Sequence, residues 1–419
     1  MATDVSWRDL PHICSPEPSS DRPCSFREVA LQSAAPPRFT TLGLSGRPER
    51  ETWRGSHVIR RIRCATIYDG VIDGTTGAVL SQSFNFVTSA CHQPVISTAA
   101  ARHQAVVNDS LDHLAVLVQK FGDAYSHIFF QTLPQVALLL QQSAAAGLPA
   151  PGLLVPRSDT LEALLEEGFG IPRARILRVG DRDQWRARRV SLLFLPPGAC
   201  PNGAVYPPAV MLDAHRRLVE PARSRHRDLV VYLQRPRPML RYALNDDHFR
   251  ELLNASLSPR YRLVVVDPGG GAWSNREAVS TGWREMRALM ARAAVVIGVH
   301  GSAFANVFFA TSSQDVHLIE LNQLHGRGCH VSLHQSMGAN STFWTLEPMA
   351  MDARMMRRGR LVPASRPNFY NGPVWIPTRR VLLALQAAQV ADRQRVQAAV
   401  RANAHLSPRR PAWLPPQLS

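Results

Sequence analysis

"AVVIGVHGSAFANVFFA", residues 294–310, decides how this chain is read. Its first part, Ala294 to Val299, is apolar and does not alternate with polar residues, the pattern of a strand covered on both faces of a parallel sheet. The run breaks at His300-Gly301, crosses the small residues Ser302 and Ala303, and resumes as an apolar stretch holding Asn306. A short helix is expected from about residue 303. A histidine, glycines and an asparagine inside the segment best suited to burial point to a site rather than to packing alone.

Flanking sequence repeats the theme. "DLVVYLQR" (228–235), "YRLVVVD" (261–267) and "VHLIELN" (316–322) are further strands, and helices are expected over 246–257 and 279–293. Strands alternating with helices at this spacing predict a doubly wound, Rossmann-like domain over 211–395. The first half reads as β followed by α/β. Short β-branched runs with Gly and Asp turns fill "HVIRRIRCATIYDGVIDGTTGAVL" (57–80), and helices are expected over 103–121 and 126–147. A strand at 152–156, a helix at 159–170 ending on glycine, and strands near 175–179 and 190–195 complete a second α/β domain over 56–210. The proline-rich stretch 195–208 reads as a linker. Residues 1–55, rich in Pro, Ser and Arg, read as a disordered leader, and 396–419 as a flexible tail. Two such domains facing a central cleft would place a ligand between them.

Composition narrows the function classes. At 419 residues, 45% apolar and 19% charged, the chain is that of a folded protein. The net charge of +16 does not indicate nucleic-acid binding: of 48 basic residues only Lys120 is lysine, and runs such as Arg186/Arg188/Arg189 and Arg354/Arg357/Arg358/Arg360 are scattered. An affinity for anionic ligands such as phosphates fits. The richest apolar run, "VALLL" at 136–140, is far short of a membrane span, and the N-terminus shows no signal or anchor. Six cysteines without a CxxC read as buried thiols, and three sequons begin at Asn108, Asn254 and Asn340.

In an open α/β sheet, ligands sit beyond the carboxyl ends of the strands. His300-Gly301-Ser302-Ala303 falls at such an end. Gly301 would let backbone approach a ligand, the following amides would bind an anion, and His300 and Asn306 would supply directed hydrogen bonds. Glu320 closes the next strand, where a carboxylate suits a ribose diol. Arg235 ends the first strand of this domain, and Arg241 and Asn245 follow, cations suited to a diphosphate. Together these groups describe a nucleotide site. In the first half, His127 near the start of a long apolar helix is a candidate general base. Ser302 lacks the glycines of a hydrolase elbow, and "PGGGAW" (268–273) lacks the Lys-Ser/Thr of a phosphate loop. A zinc reading rests on His325, Cys329, His330 and His334.

These pieces, in this order, resemble glycosyltransferase family 61, with the EGF-domain-specific O-GlcNAc transferase branch as the nearest match. The resemblance rests on Ala124-Tyr-Ser-His127 before Leu133-Pro134, Arg235…Arg241-Tyr-Ala-Leu-Asn245-Asp246, His300-Gly-Ser-Ala-Phe-Ala-Asn306, and Glu320, with C-terminal segments at 329–348 and 368–389. It spans about residues 60–395. Ala124 stands where the family has Asn, Gln135 where it has Arg, and Ala303 where it has a second glycine. The resemblance implies a GT-B fold and an inverting transfer, without cofactor or metal, of a sugar from a UDP-sugar donor to a hydroxyl of a glycan or a Ser/Thr-bearing protein. GlcNAc or a pentose such as xylose is the implied sugar, and the lumen of the Golgi or endoplasmic reticulum the implied location. A GT-B-fold binding protein without turnover is the alternative that Ala124 and Ala303 leave open.

Overall fold

A computed structural model describes residues 24–30, 38–42, 48–52, 61–73, 79–80, 85–88, 94–97, 110–118, 125–194, 208–219, 226–235, 242–267, 276–310, 316–321, 342–346, 349–351, 361–363 and 374–402. The chain is mixed α/β with parallel sheets, and it divides into two compact units, 1–35 with 56–218 and 36–55 with 219–419.

The stretch expected to be a disordered leader instead carries strands β1 (Cys24–Ala30), β2 (Arg38–Leu42) and β3 (Pro48–Thr52). Their stability comes from distant partners rather than from local pattern: β1 pairs with β4 (Arg61–Asp73), and the β2–β3 hairpin joins the sheet of the second unit. Cys24, buried in β1, is disulfide-bonded, which corrects the buried-thiol reading for that residue.

In the first unit β4 continues into β5 (Val79–Leu80), β6 (Asn85–Thr88) and β7 (Pro94–Ser97), all antiparallel. A parallel half follows: β8 (Ser110–Val116), β9 (Gly152–Val155), β10 (Ile176–Arg178) and β11 (Gln184–Phe194). The strand order is β10-β9-β8-β11-β4-β5-β6-β7. Here the expected helix over 103–121 is overturned, because β8 is a strand between β9 and β11. Leu111, Leu114, Ala115 and Val118 have helical spacing, but pairing on both edges buries Leu114, Ala115 and Val116, and tertiary burial overrides the local period. The helical stretch after β8 opens with one turn, Tyr125–His127, widens into a π-helix, Ile128–Thr132, and becomes α1 (Leu133–Ala145), with Pro134 just after the π turn. Helix α2 (Asp159–Ala163) is capped by Ser158, whose hydroxyl accepts from the Leu161 amide, and α3 (Pro208–Val219) closes the unit.

The second unit is built on β12 (Leu229–Leu233), β13 (Arg262–Val266), β14 (Ala293–Val299), β15 (His317–Leu321) and β16 (Thr342–Leu346), in the order β13-β12-β14-β15-β16-β2-β3. All neighbours except β2 and β3 are parallel. Helix α4 (Asp246–Ser256) links β12 to β13, and α5 (Arg276–Arg292) links β13 to β14. On one face, Val230, Tyr232, Val295, Ile297 and Ile319 pack with Phe249 and Leu253 of α4 and with α6 (Thr378–Ala387) and α7 (Arg393–Ala402). The stretch expected as a flexible tail thus begins inside α7. A separate three-stranded sheet joins β17 (Met349–Met351), β18 (Leu361–Pro363) and β19 (Val374–Trp375).

Candidate functional site

The chain leaves β12 for β13 on one side and returns through α5 to β14 on the other side of β12. The sheet order therefore reverses between β12 and β14, the switch point at whose carboxyl ends open α/β sheets bind ligands. Arg235 follows β12 at this point, and His300-Gly301 follows β14. β14 is buried at all seven positions, so its apolar run is fixed and the polar turn is delivered at its end. The His300 amide donates to the Leu321 carbonyl at 2.9 Å, extending the pairing with β15 by one residue.

Register explains what happens next. Gly298 lies opposite Glu320, and His300, two residues on, shares the face of Gly298. A side chain at 298 would meet Phe304 at 3.0 Å and Leu233 at 3.2 Å, so the glycine lets the turn after β14 fold back onto the sheet. On that face His300 Nδ1 lies 2.6 Å from Glu320 Oε1. Both side chains are buried, Glu320 completely. Glu320 was expected at a ribose diol; in this structure its enclosed carboxylate meets the His300 imidazole.

Gly301 has φ 152° and ψ −176°, a region essentially restricted to glycine. A Cβ there would lie 1.5 Å from Arg235 Nη2. The close approach that the sequence assigned to a ligand is made by the Arg235 guanidinium. The chain then enters a 3-10 helix, Ser302–Phe309, where the Phe304 amide donates to the Gly301 carbonyl at 2.9 Å. Buried Asn306 donates from Nδ2 to the Ala303 carbonyl at 2.8 Å, so its amide shapes the turn. Ser302 and Ala303 form the start of this helix.

Asn245 departs from expectation. It is buried and gripped by backbone: Nδ2 donates to the Ile376 carbonyl at 2.9 Å, and Oδ1 accepts from the Ile376 amide at 2.8 Å. Residues 242–244 exchange backbone hydrogen bonds with Val374 beside it. Both ends of the amide are engaged by the segment leading into α6, so in this structure Asn245 clamps that segment to the start of α4. Arg241 lies outside the described residues, as do Ala124 and the zinc candidates His325, Cys329, His330 and His334. Among the described residues no group of three or more His, Cys, Asp or Glu could hold a metal ion.

Residues that the sequence reading had passed over support the site from below. Tyr232 and Gln234, alternating with Leu233 and Arg235, donate to Asp246 at 2.6 and 2.7 Å, and Asp246 pairs with Arg250 Nε at 2.9 Å. Burial, then the neighbouring Asp246 charge, pushes the Tyr232 hydroxyl well above its ordinary pKa, so it stays a donor. The signal was available: two hydrogen-bonding residues in an otherwise apolar strand. At the amino end of β12, Arg292 of α5 holds the Asp228 carboxyl below its usual range through hydrogen bonding.

In the first unit His127 sits in the helical turn that follows β8. Its Nδ1 lies 2.8 Å from Gln131 Oε1, and with Nδ1 donating to that carbonyl, Nε2 is the basic nitrogen. Gln131 carried no signal in the sequence, because the i,i+4 contact falls where the helix widens into its π turn.

An arginine, a histidine and a glycine-restricted turn thus meet at the switch point of the second sheet, the place where open α/β sheets bind their ligands. Residues 125–316 match the model of the family Glycosyltransferase 61. No curated protein matches the sequence. The solved structure of the dodecameric iron-containing heptosyltransferase TibC in complex with ADP-D-beta-D-heptose is similar at 9% identity and a TM-score of 0.29, over 90% of this chain and 96% of that one, and a likeness this slight carries no argument.

Proposed function

We propose that the protein transfers a sugar, with inversion, from a UDP-sugar to a hydroxyl of a glycan or a Ser/Thr-bearing protein, as a GT-B enzyme of the EGF-domain-specific O-GlcNAc transferase branch. The observation that carries this reading is the meeting of Arg235, His300 and Gly301 at the switch point of the second sheet, inside a family 61 domain. Arg235 and the amides that follow Gly301 would receive the diphosphate, and Arg241 would add a second cation. Charge on the departing diphosphate is met there by fixed donors, so no metal or cofactor is required. His127, with Nδ1 on Gln131, would take the proton of the acceptor hydroxyl through Nε2. GlcNAc or a pentose such as xylose is the sugar. The disulfide at Cys24 supports an oxidising compartment, in keeping with the secretory lumen in which family 61 enzymes typically act. Among the described residues no helix is long and apolar enough to cross a membrane.

A thermal-shift panel of UDP-, GDP- and ADP-sugars on the full chain, followed by product analysis with the stabilising donor, tests this. Selective stabilisation by UDP-sugars and transfer lost in His127→Ala is the expected result. Selective stabilisation without turnover would leave a binding protein, and equal response to all donors would overturn the donor assignment.

A further inference from the structure

The carboxylate of Glu320 is enclosed in protein, and an enclosed carboxylate is tolerated only when it is hydrogen-bonded. The chain meets that requirement with a residue of the turn itself: Nδ1 of His300, at 2.6 Å, inside the same buried face. The pairing is written into the sheet. Glu320 stands opposite Gly298, a position with no side chain to intervene, and His300 is the next residue on that face of β14. Next in the chain, Gly301 is locked in a glycine-only conformation with the Arg235 guanidinium across it. A ring at His300 that rotated would break its bond to Glu320 and disturb the start of this turn.

We infer that Glu320 is a positioning residue that acts on the nucleotide through His300. It accepts the Nδ1–H hydrogen bond, which selects one tautomer and one ring orientation, so that a ligand arriving at the turn meets the imidazole through Nε2. Carboxylates that hold a functional histidine by its other nitrogen do the same work in metal sites. This assignment differs in kind from a ribose contact. A ribose ligand would touch the nucleotide directly and act independently of His300; a positioning residue has no effect except through the histidine. The inference rests on the donor-site reading above, and the experiment separates the two.

The full chain would be titrated calorimetrically with UDP and with 2′,3′-dideoxy-UDP, which lacks the diol. Wild type, Glu320→Ala, Glu320→Gln, His300→Ala and the Glu320→Ala/His300→Ala double variant would be compared. Glu320→Ala is expected to weaken both nucleotides by the same factor, about tenfold or more. The double variant should bind no worse than His300→Ala, because the two changes remove one device. Glu320→Gln, whose amide oxygen still accepts from Nδ1–H, should restore most of the affinity. In parallel, nitrogen-15 imidazole spectra of the ligand-free chain should show His300 as the Nδ1–H tautomer in wild type and Glu320→Gln, and a changed tautomer pattern in Glu320→Ala. A loss confined to UDP, with dideoxy-UDP unaffected, would make Glu320 a ribose ligand and overturn the inference. So would an unchanged His300 tautomer in Glu320→Ala. If wild type binds neither nucleotide, the donor reading falls, and the imidazole spectra still decide whether Glu320 governs His300.

Discussion

Glu162 of the first unit and Glu320 of the second are both shielded completely from solvent, yet they are compensated in opposite ways. Glu162 Oε2 is held by two permanent cations, Arg178 at 2.5 Å and Arg173 at 3.0 Å, which tie α2 to β10 and the 3-10 turn Arg173–Arg175 before it. Glu320 meets the imidazole of His300, a group without a permanent charge. The first arrangement ties two elements together through one carboxylate oxygen. The second joins the turn after β14 to β15, at the carboxyl edge where open α/β sheets bind ligands. Burial alone does not separate structure from function here; the chemistry of the partner does.

Several substitutions would break or sharpen that contrast. The largest change in stability is expected from Glu162→Ala, which leaves two arginines facing each other and costs about 3 kcal/mol, read as a lower urea midpoint. UDP affinity of the folded fraction should stay at the wild-type value. Glu320→Ala should show the reverse profile, a smaller stability loss of about 1–3 kcal/mol with nucleotide binding weakened. If both variants lose stability and neither loses binding, the contrast collapses. Gly301→Ala comes next. It combines a backbone cost of about 1–3 kcal/mol with displacement of Arg235, so it should weaken UDP binding, with no further loss when Arg235→Ala is added. Asn245→Ala removes a clamp on Ile376 and should cost about 2 kcal/mol in thermal unfolding. The smallest effect concerns Asp228. Its carboxyl is held down by Arg292, so its contribution is present above the ordinary carboxylate value near 4 and is lost as pH falls through the depressed folded value. Both side chains are partly exposed, so Asp228→Asn should lower stability by under about 1 kcal/mol at pH 7, an effect that shrinks as pH falls below the ordinary carboxylate range, measured by urea unfolding.

Much of the second unit was legible because its strands are unbroken apolar runs. DLVVYLQR, YRLVVVD, AVVIGV and VHLIELN all became strands of one parallel sheet. The polar break at His300-Gly301 also pointed correctly to a carboxyl edge. What the residues could not reveal was register. His300 and Glu320 were read as two separate contacts to a nucleotide, and only the opposition of Gly298 to Glu320 makes them neighbours. Gly301 was read as room for a ligand, whereas the room is taken by Arg235. Non-local pairing defeated the reading elsewhere. β1, β2 and β3 lie in sequence too polar and proline-rich to signal strands, and β8 carries a helical spacing that its two neighbouring strands override. The π turn after His127 has no sequence signature, so the Gln131 contact was invisible before the fold was known.

Isothermal titration of UDP into the full chain, beside Arg235→Ala and His300→Ala, bears most directly on the account. Saturable one-to-one binding in wild type, weakened about tenfold or more in each variant while both remain folded by circular dichroism, is the outcome the account predicts. Wild-type binding that both variants retain in full would contradict it, by removing the nucleotide from the carboxyl edge of β12 and β14.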